Sequence, residues 1–238
     1  MPNHHFKLAS HVRARQVDDQ VILLDLRRGK YVGVAARPLS LLVPAIAGLS
    51  AVVAAADAPT CRPDGSQLLA SLHSQGLITI KAATRPAPVA LEEALRSMNA
   101  EDHARSVRFT GARVSRFLAG STAAAFSLKF RTLLAITESV TARRDRRVRT
   151  SPSELPDSLR DAVAVFEKLR PLLFASRDKC LFDSLALINF LALEGLFPRW
   201  VIGVTTHPFA AHSWVQEGST VLNDQHEHVR RFRPILVV

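Results

Sequence analysis

The chain has few cysteines, and their positions exclude two common classes of protein. Cys61 and Cys180 are the only two in 238 residues, and neither lies in a CxxC motif or beside clustered histidines. A disulfide-rich scaffold and a structural zinc site are therefore both poor interpretations. The first residues also lack an apolar stretch behind a basic patch, so no secretory signal is predicted. We expect a reducing, cytoplasmic setting.

Long uncharged stretches are also scarce, although the chain is rich in apolar residues. Apolar side chains make up 47% of the sequence and charged ones 22%, a balance that excludes intrinsic disorder. Residues 38–56 carry no charge, and this length approaches that of a membrane-spanning helix. The stretch contains Pro44 and Gly48 and is dominated by alanine and other small residues. We therefore expect a buried helix pair and no stable membrane insertion.

The formal net charge of +10 is concentrated at the N-terminus and in one central segment. That segment contains five arginines, Arg143, Arg144, Arg146, Arg147 and Arg149. A solvated helix end or loop is the simplest interpretation. An acidic peptide or partner is the next alternative, and nucleic acid is the third.

The first third of the chain predicts a small module of strands and helices. Residues 20–34 form a hairpin pattern in which Gly29 supplies the positive φ of a tight turn. Helix is predicted over residues 38–56 and again over residues 66–75, and a β pattern resumes at residues 77–80. This order predicts a winged-helix-like module with a three-stranded sheet.

A stretch of alanine, threonine and proline without apolar periodicity separates two predicted domains. We place the first domain at residues 1–82, the linker at 83–90 and the second domain at 91–238. The second domain is predicted to begin with helical sequence from residue 91 to about residue 140, with further helices after it and strands from Trp200 onward. Helices followed by strands predict an α+β fold with an antiparallel sheet.

Cys180 lies directly before an apolar helix predicted over residues 181–193. The unsatisfied amide groups and the positive end of the macrodipole at a helix start favour a thiolate. The backbone amide of Cys180 also offers an oxyanion donor. A small buried hydrophobic residue is the simpler interpretation of this cysteine when it is considered alone.

A predicted hairpin supplies the partners that a nucleophilic cysteine needs. If residues 217–219 form a three-residue loop, His212 faces Asp224 with Cβ atoms about 4.5–5.5 Å apart. The carboxylate then fixes the tautomer of the imidazole and leaves the other ring nitrogen for a sulfur. A two-residue turn shifts the register and is expected to pair His212 with Asn223, which is also a workable orienter.

A cysteine on a helix, a histidine on a strand and an aspartate on the next strand resemble the arrangement of transglutaminase-like and papain-like hydrolases. Four sequence blocks resemble more specifically the leader peptidases of lasso-peptide biosynthesis, the B proteins: CLFDSLAL (180–187), WVIGV (200–204), PFAAHSWV (208–215) and VLND (221–224). The resemblance implies that Cys180 is the nucleophile. It also implies that His212 is the base that later protonates the leaving amine, and that Asp224 orients it.

The same resemblance gives the N-terminal module a role, because some members of the family fuse the peptidase to a winged-helix domain that recognises the leader peptide. Such domains receive the leader as an added strand at a sheet edge. By analogy, the peptide-binding edge comprises Lys30, Tyr31, Val32, Gly33 and Val34, and the wall of the groove comprises Leu69, Leu72 and His73. Trp214 is a further candidate, either as a wall of the catalytic pocket or as core.

The partners that the resemblance implies are a lasso precursor peptide and a lasso cyclase, an asparagine-synthetase-like C protein that uses ATP. The chain has no GxxxxGK[ST] motif, so we expect no directly bound cofactor and assign any ATP requirement to the cyclase. His226 and His228 form an HxH pair with few further ligands, so no metal is expected. Asp183 is expected to be a first-turn helix charge or a peptide contact.

Two other functions stay open. An acyl transferase uses the same triad but resolves the thioester with an amine instead of water. A DNA-binding regulator with an inactive peptidase domain is the other alternative. The helix over residues 66–75 contains no Lys or Arg for phosphate contacts, so nucleic acid is not the expected partner.

Overall fold

The structure is a computed structural model that describes residues 6–53, 65–80, 89–98, 106–146, 155–173 and 179–238. Its contacts divide the chain into two compact units. The first comprises Met1–Pro88 and Val204–Ala210, and the second comprises Val89–Gly203 and Ala211–Val238. Cys61 and most of the expected linker lie outside the described residues.

The described residues of the first unit form short strands and two short helices. Their bounds are β1 Phe6–Leu8, β2 Val12–Val17, β3 Gln20–Asp25, β4 Lys30–Ala35, α1 Ala36–Ser40, β5 Ile46–Ala47, α2 Gly65–Ser74 and β6 Ile78–Thr79. An antiparallel sheet has the order β2-β3-β4. The sequence predicts one sheet in this part of the chain, but the structure contains a second, separate sheet with the order β5-β1-β6.

The predicted hairpin is confirmed as β3 and β4. Asp25 pairs with Lys30, and Gly29 has a φ of 63° in the turn. The Asp25 carboxylate accepts hydrogen bonds from the backbone N–H groups of Arg27 (2.8 Å) and Arg28 (3.2 Å). Aspartate commonly stabilises turns in this way, so local sequence accounts for the hairpin.

The helix prediction for residues 38–56 is wrong over most of its described part. Only α1 is helical there; turns follow it, and β5 then pairs with β1. Pro44 and Gly48, which has a φ of 82°, interrupt a helical backbone. Apolar side chains of this stretch, among them Leu39 and Leu49, pack in the core of the first unit. Among the described residues, no helix has the length and apolar character to cross a membrane.

The helix predicted over residues 66–75 is confirmed as α2, and it ends at a glycine. Gly76 has a φ of 72°, and its N–H donates to the carbonyl of His73 at 2.9 Å. The N–H of Leu77 donates to the carbonyl of Leu72 at 3.0 Å. This is the geometry of a glycine-terminated helix, and it turns the chain toward β6.

The described elements from residue 89 onward are helices and the strands of a five-stranded sheet. Their bounds are β7 Arg96–Ser97, α3 Gly111–Phe130, α4 Leu133–Asp145, α5 Asp157–Leu169, a 3₁₀ helix Arg170–Leu172, α6 Cys180–Leu193, β8 Arg199–Thr206, β9 Phe209–Glu217, β10 Thr220–Val221, α7 His226–Val229 and β11 Arg233–Val237. The strand order is β11-β8-β9-β10-β7. The predicted order of helices followed by strands is confirmed from α3 to β10, whereas the short helix α7 precedes β11 and the sheet is not wholly antiparallel, because β10 and β7 pair in parallel.

The helices pack around α6, the helix that begins with Cys180. Gly120 of α3 lies so close to α6 that an added Cβ would be 2.8 Å from the backbone nitrogen of Phe190. The rings of Phe117, Phe166 and Phe190 meet at centroid distances of 5.4–6.4 Å. Tight packing therefore fixes the position of α6 among its neighbouring helices.

The helix predicted from residue 91 to about residue 140 is confirmed from Gly111 onward as α3 and α4, but the prediction is wrong at its start. The described residues 89–98 contain no helix, and within them β7 pairs in parallel with β10, Ser97 opposite Val221. The pairing joins residues that are far apart in the sequence, and such tertiary contacts override local propensity.

Candidate active site

Cys180 is the first residue of α6, where backbone N–H groups have no partner within the helix. Its thiol is part-buried and is not in a disulfide. Cys180 lines the same cavity as His212, and the His212 side chain and the backbone N–H groups of Leu181 and Ser213 all lower the pKa of its thiol. These donors and the helix macrodipole favour the thiolate form.

His212 lies on β9 and binds Asp224, with Nε2 2.6 Å from Oδ2. A carboxylate only accepts hydrogen bonds, so Nε2 carries the proton and Nδ1 is left for the Cys180 thiol. The three residues that the sequence predicts as catalytic thus lie together at the wall of one cavity.

The route by which Asp224 reaches His212 differs from both registers that the sequence suggested. A two-residue turn joins β9 to β10 and pairs Glu217 with Thr220. Extended along both strands, this register sets His212 opposite neither Asp224 nor Asn223. The ladder ends with β10, and Asp224 approaches the imidazole from the loop that follows.

Asn223 supports this loop and does not orient His212. Its Oδ1 accepts a hydrogen bond from the backbone N–H of Val215 at 2.8 Å, and its Nδ2 lies 3.4 Å from Oδ2 of Asp183. The side chain therefore takes the place of a ladder bond beyond the end of β10. It holds the backbone directly before Asp224.

Burial and hydrogen bonds shift the pKa of each triad member. Burial raises the pKa of the Cys180 thiol, but hydrogen bonds from His212 and from backbone N–H groups outweigh it and lower that pKa. Burial lowers the pKa of His212, whereas its bonds to Asp224 and Cys180 raise it to about 9. Burial raises the pKa of Asp224, but its hydrogen-bond donors lower it to about 2. The site therefore favours a thiolate–imidazolium pair beside a carboxylate.

His228 is a second imidazole on Asp224, a role that the sequence analysis does not identify. Its Nδ1 lies 3.0 Å from Oδ2, the same oxygen that His212 binds. These hydrogen bonds bring one nitrogen of His212, one nitrogen of His228 and one carboxylate oxygen of Asp224 within 4.8 Å of one another, the spacing of a possible three-ligand metal group. His226 faces elsewhere, with Nδ1 2.9 Å from the Ser97 hydroxyl, so the HxH pair does not act together. The four-residue spacing of Asp224 and His228 was the feature of the sequence that could have predicted this contact.

A buried polar cluster ties α6 to β9. The hydroxyls of Ser184 and Ser213 are 2.8 Å apart, and Nε1 of Trp200 lies 2.9 and 2.8 Å from them. Ser184 follows Cys180 by one helical turn, and Ser213 follows His212 directly. The cluster therefore fixes the spacing between the helix of the nucleophile and the strand of the base. The four-residue spacing of Cys180 and Ser184 was the feature of the sequence that could have placed this serine beside the site.

The triad faces a cavity of about 620 Å³. Its lining includes charged side chains besides the triad, namely Glu167, Arg170 and Asp183. Asp183 is 7% exposed and forms an ion pair with Arg170, whose Nε lies 2.8 Å from Oδ1. Burial raises the pKa of Asp183, and Arg170 partly opposes this effect. Asp183 is thus a first-turn helix charge, as expected, but it is buried and paired.

The residues predicted to bind peptide lie on three elements. Lys30, Tyr31, Val32, Gly33 and Val34 lie on β4, at one edge of the β2-β3-β4 sheet. On α2, Leu69 is part-buried and His73 is exposed. Leu72 is 2% exposed and packs in the core, which corrects its expected place in the groove wall.

Trp214 on β9 is a core residue, which is the second of the two roles expected for it, and it is not available to contact a peptide. It is 2% exposed, and its Nε1 donates to Oε1 of Gln216 at 3.0 Å. Its ring stacks against the His212 ring at a centroid distance of 6.1 Å. Trp214 therefore supports the imidazole from within the core.

The arginine cluster is only partly a solvated helix end. Nη2 of Arg143 donates to Oδ1 of Asn189 at 2.9 Å, which ties α4 to α6. Arg144 is 8% exposed, and its Nε donates to the carbonyl of Phe197 at 3.1 Å. Arg146 is exposed. Arg147 and Arg149 lie outside the described residues.

Comparison with known proteins identifies a family for the second half of the chain. The family model described as "Transglutaminase-like superfamily" matches residues 118–237, about half of the chain. The matched region contains Cys180, His212 and Asp224. No curated protein and no solved structure matches the chain.

Proposed function

The chain belongs to the transglutaminase-like superfamily, and we propose that it is a cysteine endopeptidase that removes the leader peptide from a ribosomally made lasso precursor. The superfamily includes cysteine proteases and acyltransferases. The observation that carries the proposal is the placement of Cys180, His212 and Asp224 at the wall of one cavity, where His212 binds Asp224 at 2.6 Å and lowers the pKa of the Cys180 thiol. These are the groups that acyl transfer through a thioester requires.

The proposed reaction has two steps, acylation of Cys180 and hydrolysis of the resulting thioester. The Cys180 thiolate attacks the scissile carbonyl carbon, and the Nδ1 proton of His212 passes to the leaving amine as the C–N bond breaks. Water then attacks the thioester while His212 accepts its proton. The C–S bond breaks, which releases the new carboxylic acid and restores the thiolate–imidazolium pair, and the acid then loses its proton to solvent. Asp224 keeps its hydrogen bond to Nε2 throughout, and the Cys180 backbone N–H supplies an oxyanion donor.

The choice of a lasso precursor is supported by the sequence blocks around the triad, which resemble those of lasso leader peptidases. The first unit supplies a place for the leader. Among the described residues, β4 pairs with β3 alone, so its other edge offers backbone groups to an added strand. In this proposal the first unit is the winged-helix-like leader-recognition domain, and its positive charge suits an acidic leader.

The proposed partner is a lasso cyclase, which closes the ring on the amine that cleavage exposes. The chain contains no GxxxxGK[ST] motif, so we assign ATP use to the cyclase. The reaction pairs a ribosomal product with an ATP-dependent enzyme, and we propose that it takes place in the cytoplasm.

The test first searches the reading frames beside the gene for a short precursor, and then incubates that peptide with the purified protein, with and without cyclase and ATP, followed by mass spectrometry. We expect a single cut between leader and core that Cys180→Ala abolishes and that Cys61→Ser retains. An intact precursor that nevertheless binds tightly would contradict peptidase activity and indicate a leader-binding scaffold. With an added amine, products that carry the amine in place of water would instead identify an acyl transferase.

A further inference from the structure

His228 occupies a position that the two-step mechanism does not use, yet it contacts the triad directly. It lies on α7, four residues after Asp224, which precedes that helix. Its Nδ1 donates to Oδ2 of Asp224 at 3.0 Å. That oxygen also accepts from Nε2 of His212 at 2.6 Å. The other oxygen, Oδ1, accepts from the backbone N–H of Gln225 at 2.7 Å. The carboxylate is therefore held by three donors.

We propose that His228 is a positioning residue that fixes the Asp224 carboxylate, so that His212 keeps the orientation and tautomer that serve Cys180. The inference rests on the proposed catalytic triad. His228 binds Asp224 and acts on the thiol only through that carboxylate and His212. An oxygen with two lone pairs can accept both imidazole N–H groups, so the two histidines do not compete for one site.

The backbone and ring contacts of His228 suit a positioning role. Val229, the next residue, is 1% exposed and anchors α7 in the core. The ring of Phe232 lies edge-on to His228 at 5.4 Å and also contacts the ring of His212 at 5.2 Å. One aromatic ring therefore packs against both imidazoles and restricts their rotation.

Partial exposure sets the size of the expected effect. The His228 side chain is 42% exposed, whereas those of Asp224 and His212 are 21% and 15% exposed. Water can replace part of the lost hydrogen bond when His228 is removed, but water does not fix the direction of the carboxylate. Loss of His228 is therefore expected to impair catalysis without abolishing it.

The test compares His228→Ala with His228→Asn in a Cys61→Ser background. The Asn side chain places an N–H donor near the position of Nδ1, so it should restore the contact. We expect His228→Ala to lower kcat about tenfold with little change in KM, and His228→Asn to stay within about twofold of the wild type. His226→Ala is the matched control, since His226 lies on the same helix but binds Ser97, and we expect it to leave kcat unchanged.

A second readout needs no substrate. We expect the rate of Cys180 alkylation by iodoacetamide to require a higher pH in His228→Ala than in the wild type, because a poorly oriented His212 stabilises the thiolate less. A wild-type alkylation profile in His228→Ala, with or without a lower melting temperature, would overturn the proposal. So would a His228→Asn variant as impaired as His228→Ala. If the protein cleaves no precursor, the alkylation profiles still decide the role of His228.

Discussion

The Asp224 carboxylate lies 2.6 Å from Nε2 of His212, although the two residues are not opposite each other in the ladder of β9 and β10. The ladder ends first, and Asn223 binds the backbone N–H of Val215 in place of the next bond. The chain then turns so that Asp224 faces the imidazole. Side-chain hydrogen bonds in a loop, and not sheet register, therefore orient the proposed base.

Asp224→Asn tests whether this contact orients His212. The amide keeps the shape of the carboxylate, but it loses the charge and favours the wrong imidazole tautomer. We expect kcat for precursor cleavage to fall about 10²–10⁴-fold, with a smaller change in KM. Circular dichroism checks that the variant is folded. A folded variant with near wild-type kcat would show that Asp224 is not the orienter.

The pKa shifts of this pair predict how stability depends on pH. The pKa of His212 is raised from 6.5 to about 9, so its contribution to stability is fully present below pH 6.5 and is lost as the pH rises through 9. The pKa of Asp224 is lowered from 3.8 to about 2, so its contribution is present above pH 3.8 and is lost as the pH falls through 2. The pair therefore stabilises the fold most between pH 3.8 and 6.5.

Melting temperatures of the wild type and Asp224→Asn at several pH values measure this effect. We expect the melting temperature of the wild type to exceed that of Asp224→Asn most near pH 5.5, and this difference to shrink toward pH 9. Asp19→Asn, which removes the charge of an exposed carboxylate, is the matched control and should show no such trend. A difference between the wild type and Asp224→Asn that stays constant over this range would contradict the pKa shifts.

Gly120→Ala tests the close packing of α3 against α6. Its Cβ would lie 2.8 Å from the backbone nitrogen of Phe190, which cannot move without shifting α6. We expect a loss of about 1–3 kcal/mol in the free energy of unfolding, measured by urea denaturation. Gly111→Ala is the control, because an added Cβ there meets nothing within 4 Å. Equal stabilities of the two variants would contradict the packing described here.

Lys30→Glu tests the proposed leader-binding edge. Lys30 begins β4, at the edge of its sheet, whereas Lys7 lies on β1, the central strand of the other sheet. We expect Lys30→Glu to weaken binding of a labelled acidic leader peptide about fivefold at low salt, and less at high salt. Fluorescence anisotropy measures the affinity. An equal loss in the Lys7→Glu control would indicate a general charge effect and not a binding edge.

Local sequence was sufficient where local interactions form the element. The turn before β4 contains its own hydrogen-bonding aspartate and a glycine with positive φ, and α2 ends at a glycine. Both elements were predicted with nearly correct bounds. The meeting of Cys180, His212 and Asp224 was also predicted, because residue types and order carry that chemistry.

Long-range contacts account for the errors. Residues 89–98 have helix-forming composition, but Ser97 pairs with Val221 on the distant β10. The histidine-rich segment after Asp224 is helical and not extended, which brings His228 to the carboxylate. A one-residue change in turn length altered the hairpin register, and spacing alone does not specify turn length. Burial of Leu72 and Trp214 likewise depends on packing partners that are distant in the sequence.

Alkylation of Cys180 measures most directly whether His212 holds this thiol as a reactive thiolate. Iodoacetamide reaction rates are recorded against pH for Cys61→Ser and for Cys61→Ser with His212→Ala. We expect the first protein to react fully well below about pH 8.5, the pKa of an ordinary thiol, and the second to require a higher pH because only the backbone N–H groups then oppose the effect of burial on the thiol. Identical profiles in the two proteins would contradict this role of His212.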